Sequence, residues 1–256
     1  MDAVIVTGGK GTRMAPYTQV LPKGLLPVGG QPTLEIIVKQ LKYHGFRHIT
    51  MLCGYLAPLI QTYFGDGSRW GVSIRYRVEK SPLGTVGPLK GMTCLTQPFL
   101  MMNCDVLTTL HMKDFHDFHR TGDSLLTIAT QTKKVPVNLG VLETHEDLVT
   151  QFLEKPMYPA LVNMGIYMMD PKIIDYIPDQ TFFDMPDLIQ VLLNAHKKVR
   201  HYHNDAFWMD IGRPGDFEEA NQLYATIASQ LLPVDSSNSV EMSQTCSKQP
   251  LKEGGT

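Results

Sequence analysis

Through the first half of the chain, apolar runs rich in Val, Ile, Leu and Met alternate with segments of helical period. That alternation predicts crossover units around a mainly parallel sheet. Ala3 to Thr7 reads as a buried strand. Thr33 to His44 sets Leu34, Ile37, Val38 and Leu41 on one helical face, and Ile49 to Cys53 follows as the next strand. Leu56 to Phe64 is helical, and Gly65-Asp66-Gly67 stops it. Val72 to Val78 alternates Val, Ile, Tyr and Val with Ser, Arg and Arg, the pattern of a half-exposed strand. Thr85 to Leu95 is predicted helical and Phe99 to Met102 a buried strand, which closes a first half near residue 105.

Beyond it, Ser124 to Thr130, Leu139 to Glu143, Leu148 to Leu153 and Val162 to Met169 are short strands with few helices between them, an antiparallel or mixed addition to the sheet. Helices are predicted at Pro171 to Tyr176 and Met185 to Lys197, then a strand from Val199 to His203 and a last helix from Pro214 to about Gln230. From Pro233 onward Ser, Gln, Lys and Gly replace large apolar residues, which predicts a disordered tail over 233–256. The expectation is one α/β domain over residues 1–232, in halves of about 1–105 and 106–232.

Composition narrows the partners. A chain of 256 residues, 43% hydrophobic, readily buries a core. Its 23 basic and 25 acidic residues give no global positive field of the kind that drives nucleic-acid binding. No apolar stretch approaches the roughly 20 residues that span a bilayer. The N-terminus lacks the basic start of a signal peptide and reads as a strand. Cys53, Cys94, Cys104 and Cys246 form no CxxC pair, and three sit in apolar runs. They are expected to be reduced thiols of a cytoplasmic protein.

Candidate chemistry starts directly after the first strand, at Gly8, Gly9, Lys10, Gly11, Thr12 and Arg13. Glycines there let backbone N–H groups approach a polyphosphate closely. Lys10 precedes Gly11, so this is no Walker A loop, and Met14 stands where a dinucleotide fingerprint needs its third glycine. A plain glycine turn is the competing reading. Arg13 and Lys23 lie on one long connection bounded by Pro16, Pro22 and Pro27, and two cations there suit a triphosphate.

The string GGKGTRMAPYTQVLPKGLLPVGGQPTLE resembles the sugar-1-phosphate nucleotidylyltransferase signature GGxGTRLxPxTxxxPKxLLPVxxxP. Further stations follow in order: GDGSRWGVSIRY, EKSPLGTVGPL, NCD, EKP, NMGIY and WMDIGRPGDF, together covering roughly residues 3 to 225. The wording at PLGTVGPL and WMDIG is most similar to the mannose-1-phosphate and manno-heptose-1-phosphate guanylyltransferase branch. Thr7 and Met14 depart from the family's alanine and leucine. The left-handed β-helix of many longer members is not expected, since only a polar tail follows the last helix.

The resemblance implies a Rossmann-like three-layer α/β/α fold with a mainly parallel central mixed sheet, and a reaction between a sugar 1-phosphate and a nucleoside triphosphate. It implies Asp105 and Asp210 as Mg²⁺ ligands. Gly8, Gly9, Gly11, Thr12, Arg13, Glu79 and Gly84 would hold the nucleotide, and Lys23, Gly140, Glu154, Lys155 and Asn163 the sugar phosphate. A homo-oligomer is compatible with it. Such chemistry needs no Ser-His-Asp or Cys-His group, because a phosphate monoester with a second pKa of about 6 is already ionised at neutral pH.

Glu79 in the base-reading segment favours guanine, whose N–H donors a carboxylate accepts; CTP, dTTP or UTP with a hexose 1-phosphate is the alternative. A non-catalytic nucleotide-sugar-binding regulator is a further reading, against which the full set Arg13, Lys23, Asp105, Lys155 and Asp210 speaks. His111, His116 and His119 surround a predicted helix without a further Cys or carboxylate cluster, and are not expected to bind metal. His201 and His203 are expected to be exposed, and Met101, Met102, Met168 and Met169 to fill the core.

Overall fold

The computed structural model describes residues 1–79 and 81–232, so the tail expected from residue 233 lies outside the described residues. The elements of the first half are β1 (Asp2–Val6), β2 (Pro27–Val28), β3 (Gln31–Pro32), α1 (Thr33–Tyr43), β4 (His48–Cys53), α2 (Ala57–Phe64), β5 (Ser73–Val78) and β6 (Phe99–Asn103). There follow β7 (Val106–Thr108), α3 (Met112–Arg120), β8 (Leu126–Pro136), β9 (Gly140–His145), β10 (Leu148–Glu154) and β11 (Met157–Met169). The chain continues with α4 (Met185–Asn194), β12 (Val199–His203), β13 (Trp208–Asp210) and α5 (Pro214–Leu231).

Seven strands form one sheet in the order β12-β8-β11-β6-β1-β4-β5. Within it β1 is parallel to β4 and β6, β4 to β5, and β8 to β12, while β11 alone runs antiparallel between β6 and β8. Ala3, Val4 and Ile5 of β1 are buried, as a strand covered on both faces requires. One core face combines Leu34, Ile37, Val38 and Leu41 of α1 with Ile5, Met51 and Met102. The other joins Val4, Met101 and Met169 to Leu188 and Leu192 of α4. Each such side chain contributes about 1.5–3 kcal/mol on burial. The four clustered methionines are core residues, at 1% exposure or less.

The helix expected over Thr85 to Leu95 is not formed. A short 3-10 turn at Gly87–Leu89 takes its place. Val86, Leu89 and Met92 carry the apolar spacing that suggested a helix, and all three are buried. But Gly84 and Gly91 adopt φ of 79° and 77°, Pro88 interrupts the amide ladder, and Thr85 bonds to a distant segment instead. Pro171–Tyr176 likewise forms a 3-10 helix. The strands of the second half are longer than their apolar runs: β8 extends to Pro136 and β11 begins at Met157, where the two pair antiparallel beyond the core.

Candidate active site

The carboxyl ends of β1, β4 and β6 open on a cleft of about 610 Å³, within the usual range for small-molecule sites. Gly8, Gly9, Gly11, Thr12, Arg13, Lys23, Glu79, Gly84 and Asp105 line it together. Among the described residues, no backbone N–H from Gly9 to Arg13 donates to another protein group, leaving a row of donors for an anion. The connection beyond is three 3-10 turns, Thr12–Met14, Tyr17–Gln19 and Lys23–Leu25. Met14 anchors it in a core with Ile211 and Ala220, and Thr18 Oγ1 donates to Gly11 O at 2.8 Å.

Close backbone contact fixes the other wall. A Cβ at Gly54 would lie 2.7 Å from Gly8 O, so only glycine lets the β4 end approach the loop this closely. Glu79 follows β5, and its N–H donates to Cys53 O at 2.9 Å. Rather than facing solvent, its Oε2 accepts from the Leu83 N–H at 2.9 Å, and burial pushes its carboxyl pKa up.

Lys23 and Asp105 form an ion pair at the cleft floor, with side-chain exposures of 12% and 16%. Asp105 Oδ1 is buried and has no hydrogen-bond partner among the described residues. A buried acceptor left unpaired costs about 1–3 kcal/mol, more when charged. Asp210 stands beside it because β13 pairs with β7, Asp210 opposite Val106, and the Ile211 N–H donates to Asp105 O at 2.9 Å. Asp210 is exposed at the end of β13, yet desolvation of its carboxyl by the surrounding cleft, then the Asp105 charge, raise its pKa, with Lys23 and Arg13 opposing. Two neighbouring oxygen donors, one with an unspent lone pair, fit a hard divalent cation whose remaining ligands are phosphate oxygens and water.

The remaining predicted residues are less gathered. Asn163 Nδ2 donates to Tyr167 Oη at 2.8 Å, and its Oδ1 accepts from the Gly165 N–H; a Cβ at Gly165 would lie 2.9 Å from Asn103 Nδ2, and Asn103 lines the cleft. Glu154 and Lys155 are exposed at the end of β10, 3.9 Å apart, opposite Gly140 across the β9–β10 pair. None of these three lines the cleft. His119 Nδ1 bonds to Thr127 Oγ1 at 2.7 Å and His116 Nδ1 to Asp117 Oδ1 at 3.0 Å, while His201 and His203 are exposed.

Sequence reasoning missed Tyr55, Asn103, Phe182 and Asp184, all lining the cleft. It also missed Asp216, which accepts from the Gly212 and Arg213 N–H groups and shapes the turn after Asp210. One signal was available: Asp184-Met185-Pro186 has the cap and early proline of a helix start.

The nucleotidyl transferase family pattern matches residues 2–227. This chain belongs to the nucleotidyl transferase family. It is 32% identical over 241 residues to the UTP–glucose-1-phosphate uridylyltransferase of Synechocystis sp., covering 86% of this chain and 62% of the relative. It is also 32% identical over 224 residues to the mannose-1-phosphate guanylyltransferase of Mycobacterium tuberculosis, covering 85% and 62%. The chain thus spans less than two thirds of the length of these two transferases. Among solved structures, HddC from Yersinia pseudotuberculosis superposes with a TM-score of 0.69 at 26% identity, covering 87% of this chain and 99% of that one. A second HddC structure, complexed with GMP-PN, gives a TM-score of 0.66. The mainly parallel mixed sheet is therefore the Rossmann-like fold of this transferase family.

Proposed function

We propose that this chain joins a sugar 1-phosphate to a nucleoside triphosphate with release of pyrophosphate, and that its substrates are GTP and mannose or manno-heptose 1-phosphate. The observation that carries this reading is the opening of a donor-lined loop, two loop cations and a carboxylate with one buried, unpartnered oxygen on one cleft. A sugar-phosphate oxygen attacks the α-phosphorus, the bond from that phosphorus to the β-bridging oxygen breaks, and pyrophosphate leaves with the electron pair. Because the nucleophile is already ionised, the protein's task is positioning and neutralising charge.

Arg13 and the amides from Gly8 to Thr12 hold the β- and γ-phosphates, and Lys23 reaches the α-phosphate and the sugar phosphate. Asp105 and Asp210 would hold Mg²⁺. When bound, that ion supplies charge neutralisation and alignment of the phosphate oxygens. Glu154, Lys155, Asn163 and Gly140 receive the sugar phosphate, so most nucleotide contacts come from residues of about 1–105 and most sugar contacts from about 106–232, in one domain over 1–232. The free thiols Cys53, Cys94 and Cys104 suit a reducing compartment such as the cytoplasm.

The preference for guanine rests on Glu79 and Gly84 in the cleft and on relatives named as guanylyltransferases. The relative named for UTP keeps CTP, dTTP or UTP with a hexose 1-phosphate as the second reading. Parallel incubations of the four triphosphates with mannose 1-phosphate, manno-heptose 1-phosphate and glucose 1-phosphate, scored by pyrophosphate release, separate the two. The largest turnover is expected with GTP; a dominant signal with dTTP or UTP contradicts the guanine assignment. GTP binding with no release in any tube would instead mark a non-catalytic binder.

A further inference from the structure

The cleft has a wall that comes from far along the chain. The segment from Leu83 to Gly87 is laced to residues 183–185: Phe183 N–H donates to Leu83 O at 2.9 Å, and Val86 and Gly87 N–H donate to Phe183 O at 3.1 and 3.0 Å. Thr85 N–H donates to Asp184 Oδ1 at 2.8 Å, and Met185 N–H to Thr85 Oγ1 at 2.8 Å. At Gly84, where φ is 79°, an added Cβ would lie 2.5 Å from Phe183 O and 2.9 Å from Asp184 Oδ1. Gly84 and this distant strap are therefore tied directly to one another.

The two consecutive phenylalanines of the strap diverge. Phe183 packs against the core around Val86 and Leu188. Phe182 instead lines the cleft and is 58% exposed. Of the described residues lining the cleft, Tyr55 is the other aromatic, and its hydroxyl donates to Gln19 O at 3.0 Å on the phosphate-loop side. An exposed phenyl on a rigid strap, beside Gly84 and Glu79, has an apolar face and no protein partner described for it.

We infer that Phe182 is a positioning residue for the nucleotide, the platform on which its base stacks. The inference rests on the cleft being the nucleotide site. Every base presents a π-face, so such a platform supplies affinity and orientation, while discrimination between bases stays with the polar groups. It acts on the nucleoside and leaves the phosphates and the transferred sugar untouched.

The test compares wild type with Phe182→Ala and Phe182→Tyr, titrating each of the four Mg-triphosphates and inorganic tripolyphosphate alongside steady-state kinetics. For Phe182→Ala, KM and Kd for the triphosphate rise about tenfold, corresponding to ~1.4 kcal/mol, with kcat and the KM for sugar phosphate unchanged. Tripolyphosphate binding is also unchanged, and Phe182→Tyr restores triphosphate affinity. Wild-type affinity in Phe182→Ala, or an equal loss for triphosphate and tripolyphosphate, overturns the inference. Wild type that binds a triphosphate but turns nothing over contradicts the proposed reaction alone, and the titrations still decide Phe182.

Discussion

The two regions proposed to receive the nucleotide and the sugar phosphate form two ends that are built differently. At the proposed nucleotide end, Gly8, Gly54 and Glu79 are held by backbone contacts at the ends of parallel strands and Gly84 by the segment 183–185, and the approach distances leave no room for a methyl group at Gly54 or Gly84. At the proposed sugar end, outside the cleft lining, Gly140, Glu154 and Lys155 lie on or beside the β9–β10 pair, where Leu142, Leu148, Val149 and Phe152 are all more than half exposed. On the proposed roles, the contrast teaches that a triphosphate would meet a site preorganised by the sheet. The sugar end would rely on side chains of a lightly packed ribbon. Damage to the first should cost stability and nucleotide affinity together; damage to the second should cost sugar-phosphate affinity alone.

The largest effect is expected where the two ends meet. Asp105→Ala removes the unpaired oxygen and the partner of buried Lys23, and turnover should fall by at least ~10³-fold, as when a group stabilising the transition-state charge is lost. Retained turnover would show that the carboxylate does not hold the ion. Asp210→Asn should also abolish turnover, yet stabilise the fold slightly, since Asp210 is exposed and water screens its charge. Because desolvation and Asp105 raise the folded pKa of Asp210, the folded state binds its proton more tightly than the unfolded chain does. Ionised Asp210 therefore costs stability in full above its raised folded pKa, and that cost fades as pH falls through the folded pKa and is gone below the unfolded value. The Tm of metal-free Asp210→Asn should exceed wild type at pH 7 and converge with it in acid; equal Tm values at pH 7 would contradict the shift.

Lys155→Ala comes next: the KM for sugar phosphate should rise about 10- to 100-fold, the scale of a lost charge-assisted hydrogen bond, with nucleotide Kd and Tm unchanged. A rise in nucleotide Kd would dissolve the contrast between the ends. The smallest effects compare two glycines. Gly84→Ala forces a left-handed alanine, at about 1–2 kcal/mol, against Phe183 O, and should lower Tm and weaken nucleotide binding. At Gly140 an added Cβ meets the ring of exposed Phe152, which can swing aside. Gly140→Ala should leave Tm within a degree or two of wild type; a drop as large as that of Gly84→Ala would show the ribbon to be as tightly packed as the sheet.

The same contrast governs what the sequence shows. Buried parallel strands are continuous apolar runs, so β1, β4 and β6 were legible to within a residue or two, and the phosphate-binding loop is one contiguous string. The ribbon was legible as strands but not in its reach, because β8 and β11 continue past the apolar pattern into a pair of exposed, partly charged residues. The Thr85 to Leu95 segment has helix-like spacing, but its hydrogen bonds go to residues about 100 positions away. The cap and early proline at Asp184-Met185-Pro186 mark a helix start but not a cleft wall, so Phe182 and Asp184 were missed.

The most direct test of the central claim is pyrophosphate release by the purified chain with GTP, mannose or manno-heptose 1-phosphate and Mg²⁺, each omitted in turn. Release is predicted only when nucleotide, sugar phosphate and ion are all present, at a rate that chelation by EDTA abolishes. Release that persists without the sugar phosphate would make the chain a hydrolase, and release that persists in EDTA would remove Asp105 and Asp210 from the role given to them.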